Sequence, residues 1–263
     1  MSRPYLSSQR LACLIDQLSQ RDMAVLETLE RVRLASASQL GRLHFPTATA
    51  QVRRRALLSL DNRRLVVRLD RQIGGTKAGS SGYLYELSDV GQRVLNTSSG
   101  VPRRRPTSPG TSFIRHALAV TEIYVRLVET SRSGQIELLE FTAEPRCWRS
   151  FPGRGGGRAV LKPDAFVRIA NGDYEDAWAI EVDLGTESPT TITTKLDVYR
   201  AYWSSGIEQV NRGVFPRVLW TVPDQRRAQV ITDCCGRQPA EAWSLFMVTL
   251  FEGAVGLMAG EAS

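Results

Sequence analysis

Apolar residues recur at helical spacing in three successive segments of the first half of the chain. These segments are RDMAVLETLERVRLAS, SASQLGRLHF and TATAQVRRRALLSLDNRRL, and each predicts a helix. In the third segment Thr47 is the expected N-cap, and the expected buried stripe consists of Val52, Ala56, Leu57 and Leu60. The stretches LVVRLD and YLYELS, separated by a glycine-rich bend, then predict a β-hairpin. Ser88 follows the hairpin, where it can cap one more helix.

The second half of the chain mixes strand-like and helix-like segments. A helix in FIRHALAVTEIYVRLVET precedes three strands, QIELLEFTAE, RAVLKPDAFVRIA and YEDAWAIEVDL. The helix PTTITTKLDVYRAYWSSG, the strand FPRVLWTVP, the helix DQRRAQVITDCCG and the strand WSLFMVTLFE complete the order. This order predicts a mixed sheet flanked by helices, so the expected fold class is α/β (α+β).

The order of elements also predicts the domains. Three helices followed by a hairpin is the order of a winged helix-turn-helix, which we predict over residues 1–95. Residues 96–112, NTSSGVPRRRPTSPGTS, are rich in Ser, Pro and Gly without periodicity and predict a linker. Residues 113–263 then form the second, mixed-sheet domain.

The charge is divided unevenly between the two halves of the chain. Net charge is +7, but residues 1–112 hold 18 of the 34 Lys and Arg residues and only 8 of the 27 Asp and Glu residues. A basic half favours a polyanion as partner, and we expect double-stranded DNA; a basic surface kept for solubility is the alternative. No apolar run is long enough to span a bilayer, and the N-terminus lacks the features of a signal peptide. With four cysteines that lack metal-ligand spacing, these features predict a reduced, cytoplasmic protein without membrane contact.

The residues expected to contact DNA lie on the third helix and in the hairpin loop. Side chains in the first turns of such a helix reach base edges or phosphates in helix-turn-helix proteins. The candidates on the helix are Thr49, Gln51, Arg53, Arg54 and Arg55. The loop from Gly74 to Gly82, which carries Lys77, would be the wing; a winged helix used for protein contacts is the alternative.

Three carboxylates occupy two neighbouring predicted strands, although acidic residues are depleted from strands. By strand alternation Glu181 and Asp183 share one face of their strand, and a hairpin can bring Asp164 beside them. Such acids repel one another unless a cation offsets the charge, and oxygen ligands suit Mg²⁺ or Mn²⁺. The sequence therefore predicts a divalent-metal site; solvated or ion-paired acids at a strand end are the alternative.

The spacing of KPDAFV and AIEVDLGTES, within this order of elements, resembles the PD-(D/E)XK nuclease core. Together with KLDVYRAYW and the predicted winged helix, the pattern also resembles the replication-relaxation family of plasmid and integrative-element proteins, over roughly residues 21–222. The resemblance implies that Asp164 and Glu181 are catalytic metal ligands. The nuclease pattern has Lys where this chain has Asp183, and Lys195 on the following helix can reach the same space; an exposed helix lysine paired with Glu187 or Asp197 is the alternative for Lys195. Alternatively Asp183 is a third ligand, or the site is inactive.

Two functions follow from these patterns. One is a metal-dependent DNA nicking endonuclease of a mobile element, acting in replication or transfer. The other is a non-catalytic DNA-binding accessory protein or transcriptional regulator, whose nuclease-like domain forms a homodimer or recruits a relaxase or replication initiator. The sequence leaves open whether Glu122 or Glu144 would add a further acid to the site.

Overall fold

The computed structural model describes residues 7–69, 82–95, 110–153 and 156–261. The chain forms two compact units, Met1–Val125 and Arg126–Ser263, which divide inside a long helix. The fold is mixed α/β with a mixed sheet, so the predicted fold class is confirmed. Lys77 and nearly all of the predicted wing, together with residues 96–109 of the predicted linker, lie outside the described residues.

The first unit surrounds a small antiparallel sheet. Its strands are β1 (Leu34–Ser36), β2 (Val66–Leu69) and β3 (Leu84–Leu87), with β3 in the centre. Its helices are α1 (Ser8–Asp16), α2 (Gln20–Val32), α3 (Ala37–His44), α4 (Ala50–Asn62), α5 (Asp89–Leu95) and most of α6 (Thr111–Arg132). The prediction for Ser88 is confirmed, because its Oγ accepts a hydrogen bond from Gly91 N at 2.9 Å.

Two details of the predicted helices were wrong. The first predicted helix ends at Val32, because Arg33 has a φ of 71°, and Leu34 then enters a strand. The N-cap of α4 is Thr49 rather than Thr47, with its hydroxyl accepting from Val52 N. Since α4 consequently starts two residues later than predicted, Val52 lies in its first turn and is 45% exposed instead of buried.

The second unit is built on a five-stranded mixed sheet of order β10-β9-β8-β7-β4. Its strands are β4 (Glu137–Ala143), β7 (Ala165–Asn171), β8 (Tyr174–Val182), β9 (Arg217–Val222) and β10 (Phe246–Leu250). Strand β7 runs antiparallel to both of its neighbours, β4 and β8, whereas β8, β9 and β10 run parallel to one another. A separate hairpin is formed by β5 (Arg149–Pro152) and β6 (Arg158–Leu161).

Helices complete the second unit and enclose its core. They are α7 (Pro189–Ser204), α8 (Ile207–Arg212), α9 (Gln225–Gly236) and α10 (Ala254–Met258), with short 3₁₀-helices at Ala240–Leu245 and Phe251–Gly253. One sheet face packs against α7 and α9 through residues such as Ile192, Leu196, Trp220 and Ile231. Within the described ranges, no helix is both long and apolar enough to cross a membrane.

The strand predicted from RAVLKPDAFVRIA is in fact two strands. Its first part, β6, pairs with β5, and its second part, β7, joins the main sheet. The break falls at Pro163, which has no N–H to donate to a strand ladder. Asp164 therefore stands at the entrance to β7, between the hairpin and the sheet.

Candidate active site

Asp164 is held in a fixed position by the backbone of the neighbouring strand. Its N–H donates to Ile180 O at 3.0 Å, and its Oδ2 accepts from Val182 N at 2.7 Å. The residue is only 7% exposed. Its carboxylate is thereby directed to the end of β8, where Glu181 lies.

Glu181 occupies the penultimate position of β8 and is 1% exposed. It shares its strand face with Ala179, which packs against α7. From that helix Tyr199 OH donates to Glu181 Oε1 at 2.6 Å, and Lys195 Nζ donates to Oε2 at 2.9 Å. Both carboxylate oxygens therefore accept a hydrogen bond inside the protein.

Lys195 and Tyr199 reach Glu181 because they share one face of α7 at i,i+4 spacing. Ser188 caps the helix, with Pro189 in its first turn, so the start of the helix is well defined. Lys195 also pairs with Glu187 Oε1 at 2.7 Å, and its ammonium lies 5.4 Å from the centroid of the Trp220 ring. The side chain of Lys195 is 31% exposed, so this lysine contacts both the buried Glu181 and solvent.

The electrostatics of this cluster show excess negative charge. Burial, and then the nearby carboxylate of Asp164, raise the pKa of Glu181 from its ordinary 4.5 to about 7, although Lys195 and Tyr199 act to lower it. Burial alone would lower the pKa of Lys195, but the carboxylates of Glu181 and Asp164 raise it above its ordinary value. Burial and the same two acids raise the pKa of Tyr199. Asp164 and Glu181 are thus close enough to repel each other, and only part of that repulsion is offset.

The raised pKa of Glu181 predicts a pH-dependent stability. Between about pH 4.5 and pH 7 the folded protein holds a proton on Glu181 that the unfolded chain releases, so this stabilisation is complete below about pH 4.5 and lost as pH rises through about 7. Glu181→Gln cannot lose such a proton. We therefore expect its free energy of unfolding to increase relative to wild type over this range, as measured by urea denaturation. Glu175→Gln, on the same strand, is the control and should follow wild type. If the free energies of unfolding of wild type and Glu181→Gln change in parallel with pH, the pKa of Glu181 is not raised.

Asp183 does not join the other two carboxylates. It follows the end of β8, and Arg227 at the start of α9 binds it in a bidentate ion pair, with Nε at 2.8 Å from Oδ1 and Nη2 at 2.6 Å from Oδ2. Gly185 N also donates to Oδ1. Among the described residues, no group of three or more His, Cys, Asp or Glu side chains is arranged to hold a metal ion. The structure thus brings together Asp164, Glu181 and Lys195, whereas Asp183 is bound by Arg227.

The two candidates for an additional acid lie in different units. Glu122 accepts hydrogen bonds from Arg42 and Gln39 within the first unit. Glu144 is next to Asp164 in the second unit, because its N–H donates to Asp164 O at 2.9 Å. Of the two, Glu144 is the one that the backbone brings beside Asp164.

The predicted DNA-contacting residues lie on the first two turns of α4. Gln51, Arg54 and Arg55 are exposed, whereas the hydroxyl of Thr49 is engaged in capping the helix. Arg53 is half-buried, and its side chain covers Gly41 of α3 so closely that a Cβ there would lie 2.6 Å from Nη1. The exposed cations available on this helix are therefore Arg54 and Arg55, accompanied by the exposed Val52.

Sequence reasoning missed Arg227, which forms the ion pair with Asp183. The two residues are separated by 44 positions, and no spacing rule connects them. The available signal was the acid itself, because a carboxylate at the end of an apolar central strand needs a cation if no metal is present. Sequence reasoning also missed the β5–β6 hairpin beside Asp164.

The comparisons with known proteins gave one match. The family model described as Replication-relaxation matches residues 26–218. No curated protein and no solved structure matches the chain. The matched region extends from α2 into β9 and includes Asp164, Glu181 and Lys195.

Proposed function

The chain belongs to the replication-relaxation family, and we propose that it is a metal-dependent DNA nicking endonuclease that binds duplex DNA through its N-terminal half. The family indicates a role in the replication or transfer of plasmids or other mobile elements. In that role the protein would hydrolyse a phosphodiester bond at Asp164, Glu181 and Lys195.

The observation that carries the proposal is the position of Lys195. Asp183 stands where the nuclease pattern has lysine, yet the ammonium of Lys195 approaches Glu181 to 2.9 Å from the next helix. Two buried carboxylates and one partly exposed lysine thus meet, although they come from the segment before β7, from β8 and from α7. A set of this composition suits the binding and cleavage of a phosphodiester better than it suits a purely structural role, since burying excess negative charge is unfavourable.

The donor set fits a divalent cation. Mg²⁺ is commonly bound through one or two carboxylates and several waters, so Asp164 and Glu181 suffice as protein ligands. Each carboxylate oxygen has more than one lone pair, and the hydrogen bonds from Tyr199 and Lys195 therefore leave Glu181 with acceptor capacity. Burial, and then repulsion from the carboxylate of Asp164, raise the pKa of Glu181, and a cation bound between the two acids would offset that repulsion.

The protein's own side chains would have separate roles. A bound Mg²⁺ or Mn²⁺ supplies Lewis acidity at the scissile phosphate and a water of lowered pKa. Asp164 and Glu181 would hold that ion in place. Lys195, which stays protonated because its pKa is raised, would stabilise the negative charge that develops on the phosphate oxygens. Tyr199 would orient Glu181 through its 2.6 Å hydrogen bond.

Incubation of the protein with supercoiled and linear DNA tests this function. Open circles should accumulate with Mg²⁺ or Mn²⁺ and not with EDTA. DNA that is shifted in a gel but remains intact at every metal concentration would refute the endonuclease.

A second candidate function is favoured by the pairing of Glu181 within the protein. Both of its oxygens already accept hydrogen bonds, and Lys195 forms a second ion pair with Glu187. Such a network is compatible with a non-catalytic DNA-binding protein, in which the second half serves dimerisation or the recruitment of a relaxase or replication initiator. This candidate predicts DNA shifts without cleavage, unaffected by changes at Asp164 and Glu181.

DNA binding by α4 gives a further prediction. We expect Arg54→Ala combined with Arg55→Ala to weaken duplex binding and to reduce the slope of log K against log salt by about 0.9 for each phosphate that the protein no longer neutralises. Both side chains are exposed beside the N-terminal turn of the helix. Fluorescence anisotropy at several salt concentrations measures both quantities. Arg10→Ala, at an exposed arginine of α1, is the control; equal effects of the two changes would refute the assignment of α4 as the recognition helix.

A further inference from the structure

The β5–β6 hairpin presents two chemically different faces. Along β5 the exposure alternates, because Phe151 is 4% exposed whereas Ser150 and Pro152 are exposed. Phe151 and Leu161 belong to the core that α7 and α9 cover. The opposite face, which we call the outer face, carries Ser150 and Pro152 with their cross-strand partners Val160 and Arg158.

The outer face ends in an exposed aromatic residue with a cation above its ring. One step beyond the paired residues Arg149 and Leu161, Trp148 and Lys162 stand opposite each other. Lys162 Nζ lies 4.9 Å from the centroid of the Trp148 ring, and Trp148 is 38% exposed. A single exposed indole is ordinary on a protein surface, so it is the cation beside the ring that marks Trp148 as a candidate binding residue.

This pair is adjacent to the proposed catalytic centre. Lys162 precedes Asp164 by two residues, and the Sγ of Cys147, the neighbour of Trp148, donates to Pro163 O at 3.0 Å. The hairpin end is therefore fastened to the segment that positions Asp164.

The charge of the hairpin specifies the class of ligand. Residues 146–162 contain five basic and no acidic residues, in a half of the chain that is acidic overall, and two of the basic residues, Arg158 and Lys162, are exposed on the outer face or at its end. On the outer face Arg158 donates to Ser150 Oγ at 2.7 Å, which holds its guanidinium over the strand pair. A basic strip with an exposed aromatic ring is the combination with which proteins bind single-stranded nucleic acid, because unpaired bases stack on the ring and cations contact the phosphates.

We propose that the outer face of the β5–β6 hairpin binds single-stranded DNA, with an unpaired base stacked on Trp148 and phosphates held by Lys162 and Arg158. Base pairs in an intact duplex are already stacked on both sides, so the ring selects unpaired bases. This inference rests on the proposed function in naming DNA as the ligand. It adds that the substrate at the catalytic centre is a single strand or an unwound region.

Binding of fluorescently labelled oligonucleotides to the full chain, in EDTA, tests the inference. Two oligonucleotides of about 12 nucleotides are compared, oligodeoxythymidylate and an abasic backbone of the same length. Wild type should bind the thymidylate roughly tenfold more tightly, and Trp148→Ala should abolish this preference, while Trp148→Phe should keep most of it. Lys162→Met should weaken both complexes and lower the salt slope by about 0.7.

Two exposed residues elsewhere in the second unit provide matched controls. Trp243 is 54% exposed and Arg226 is exposed on α9, so Trp243→Ala should leave the preference unchanged and Arg226→Ala should leave the two affinities and the salt slope unchanged. A preference that survives Trp148→Ala, or that Trp243→Ala removes equally, would overturn the inference. If cleavage is never observed but the preference depends on Trp148, the single-strand site stands without the endonuclease. If cleavage occurs without any such preference, the endonuclease stands and the hairpin site falls.

Discussion

Single-turnover cleavage of DNA should slow by about 10³-fold or more in Asp164→Asn and in Glu181→Gln, relative to wild type in Mg²⁺. Both substitutions keep the size of the side chain and remove one negative charge at the point where the two carboxylates converge. Because the two acids would act on the same cation, the double variant should be little slower than either single variant.

Substitution of the other residues of the site should slow cleavage less than substitution of the two acids. Lys195→Met removes a cation whose proposed role is to stabilise developing charge, and we expect a loss of about 10²-fold to 10³-fold. Glu175→Gln removes a carboxylate from the exposed end of the same strand, where it pairs with Arg168, and should cleave as wild type does. Equal rates in Asp164→Asn and Glu175→Gln would remove the basis for placing the reaction at Asp164.

The largest effect on stability is expected at Arg227. Asp183 has a side chain that is 0% exposed, and Arg227 is 13% exposed. Arg227→Met would leave the Asp183 carboxylate buried without its cation, which typically costs about 3–5 kcal/mol. Chemical denaturation of the variant measures this loss.

Two further variants separate this ion pair from a general effect of removing arginine. Arg200→Ala breaks a more exposed pair with Asp197, in which the side chains are 27% and 50% exposed, and should cost less than about 1 kcal/mol. Asp183→Asn combined with Arg227→Met should be less destabilising than the sum of the single changes, since both partners are replaced. Strict additivity would show that the ion pair does not stabilise the fold as proposed.

The same ion pair also positions the proposed catalytic lysine. Arg227 Nη2 donates to Glu187 O at 2.7 Å, and the carboxylate of Glu187 pairs with Lys195. The bonds of Arg227 therefore fix both ends of the turn between β8 and α7. Asp183 thus anchors the turn, and in the proposed site the lysine would come from the helix that follows.

Much of the fold was predictable because local patterns determined it. Helical spacing gave the position of α7, and strand alternation placed Glu181 on the face that meets this helix. The convergence of Asp164 and Glu181 followed from pairing two adjacent strands through a short turn, which leaves few alternatives in register. The approach of Lys195 to Glu181 was predictable because α7, which carries this lysine, directly follows β8 in the chain.

The rest depended on tertiary contacts that local patterns do not encode. One predicted strand is in fact β6 and β7, which pair with different strands. Predicting that division required recognising that Pro163 interrupts the strand. The predicted start of α4 was wrong by two residues because either of two threonines could cap the helix. The later start places Val52 in the first turn, where it is exposed. The partner of Asp183 could not be identified because Arg227 follows two intervening helices and a strand in sequence.

Asp164 and Glu181 together should form a site for one divalent cation. Electron paramagnetic resonance of free Mn²⁺ during titration with the protein, with and without duplex DNA, measures this binding. We expect one Mn²⁺ to bind per wild-type chain and to be displaced by Mg²⁺; this binding should be lost in Asp164→Asn and Glu181→Gln and retained in Glu175→Gln. Wild type that binds no Mn²⁺ under either condition, or acid variants that bind it as wild type does, would show that the two acids do not form such a site.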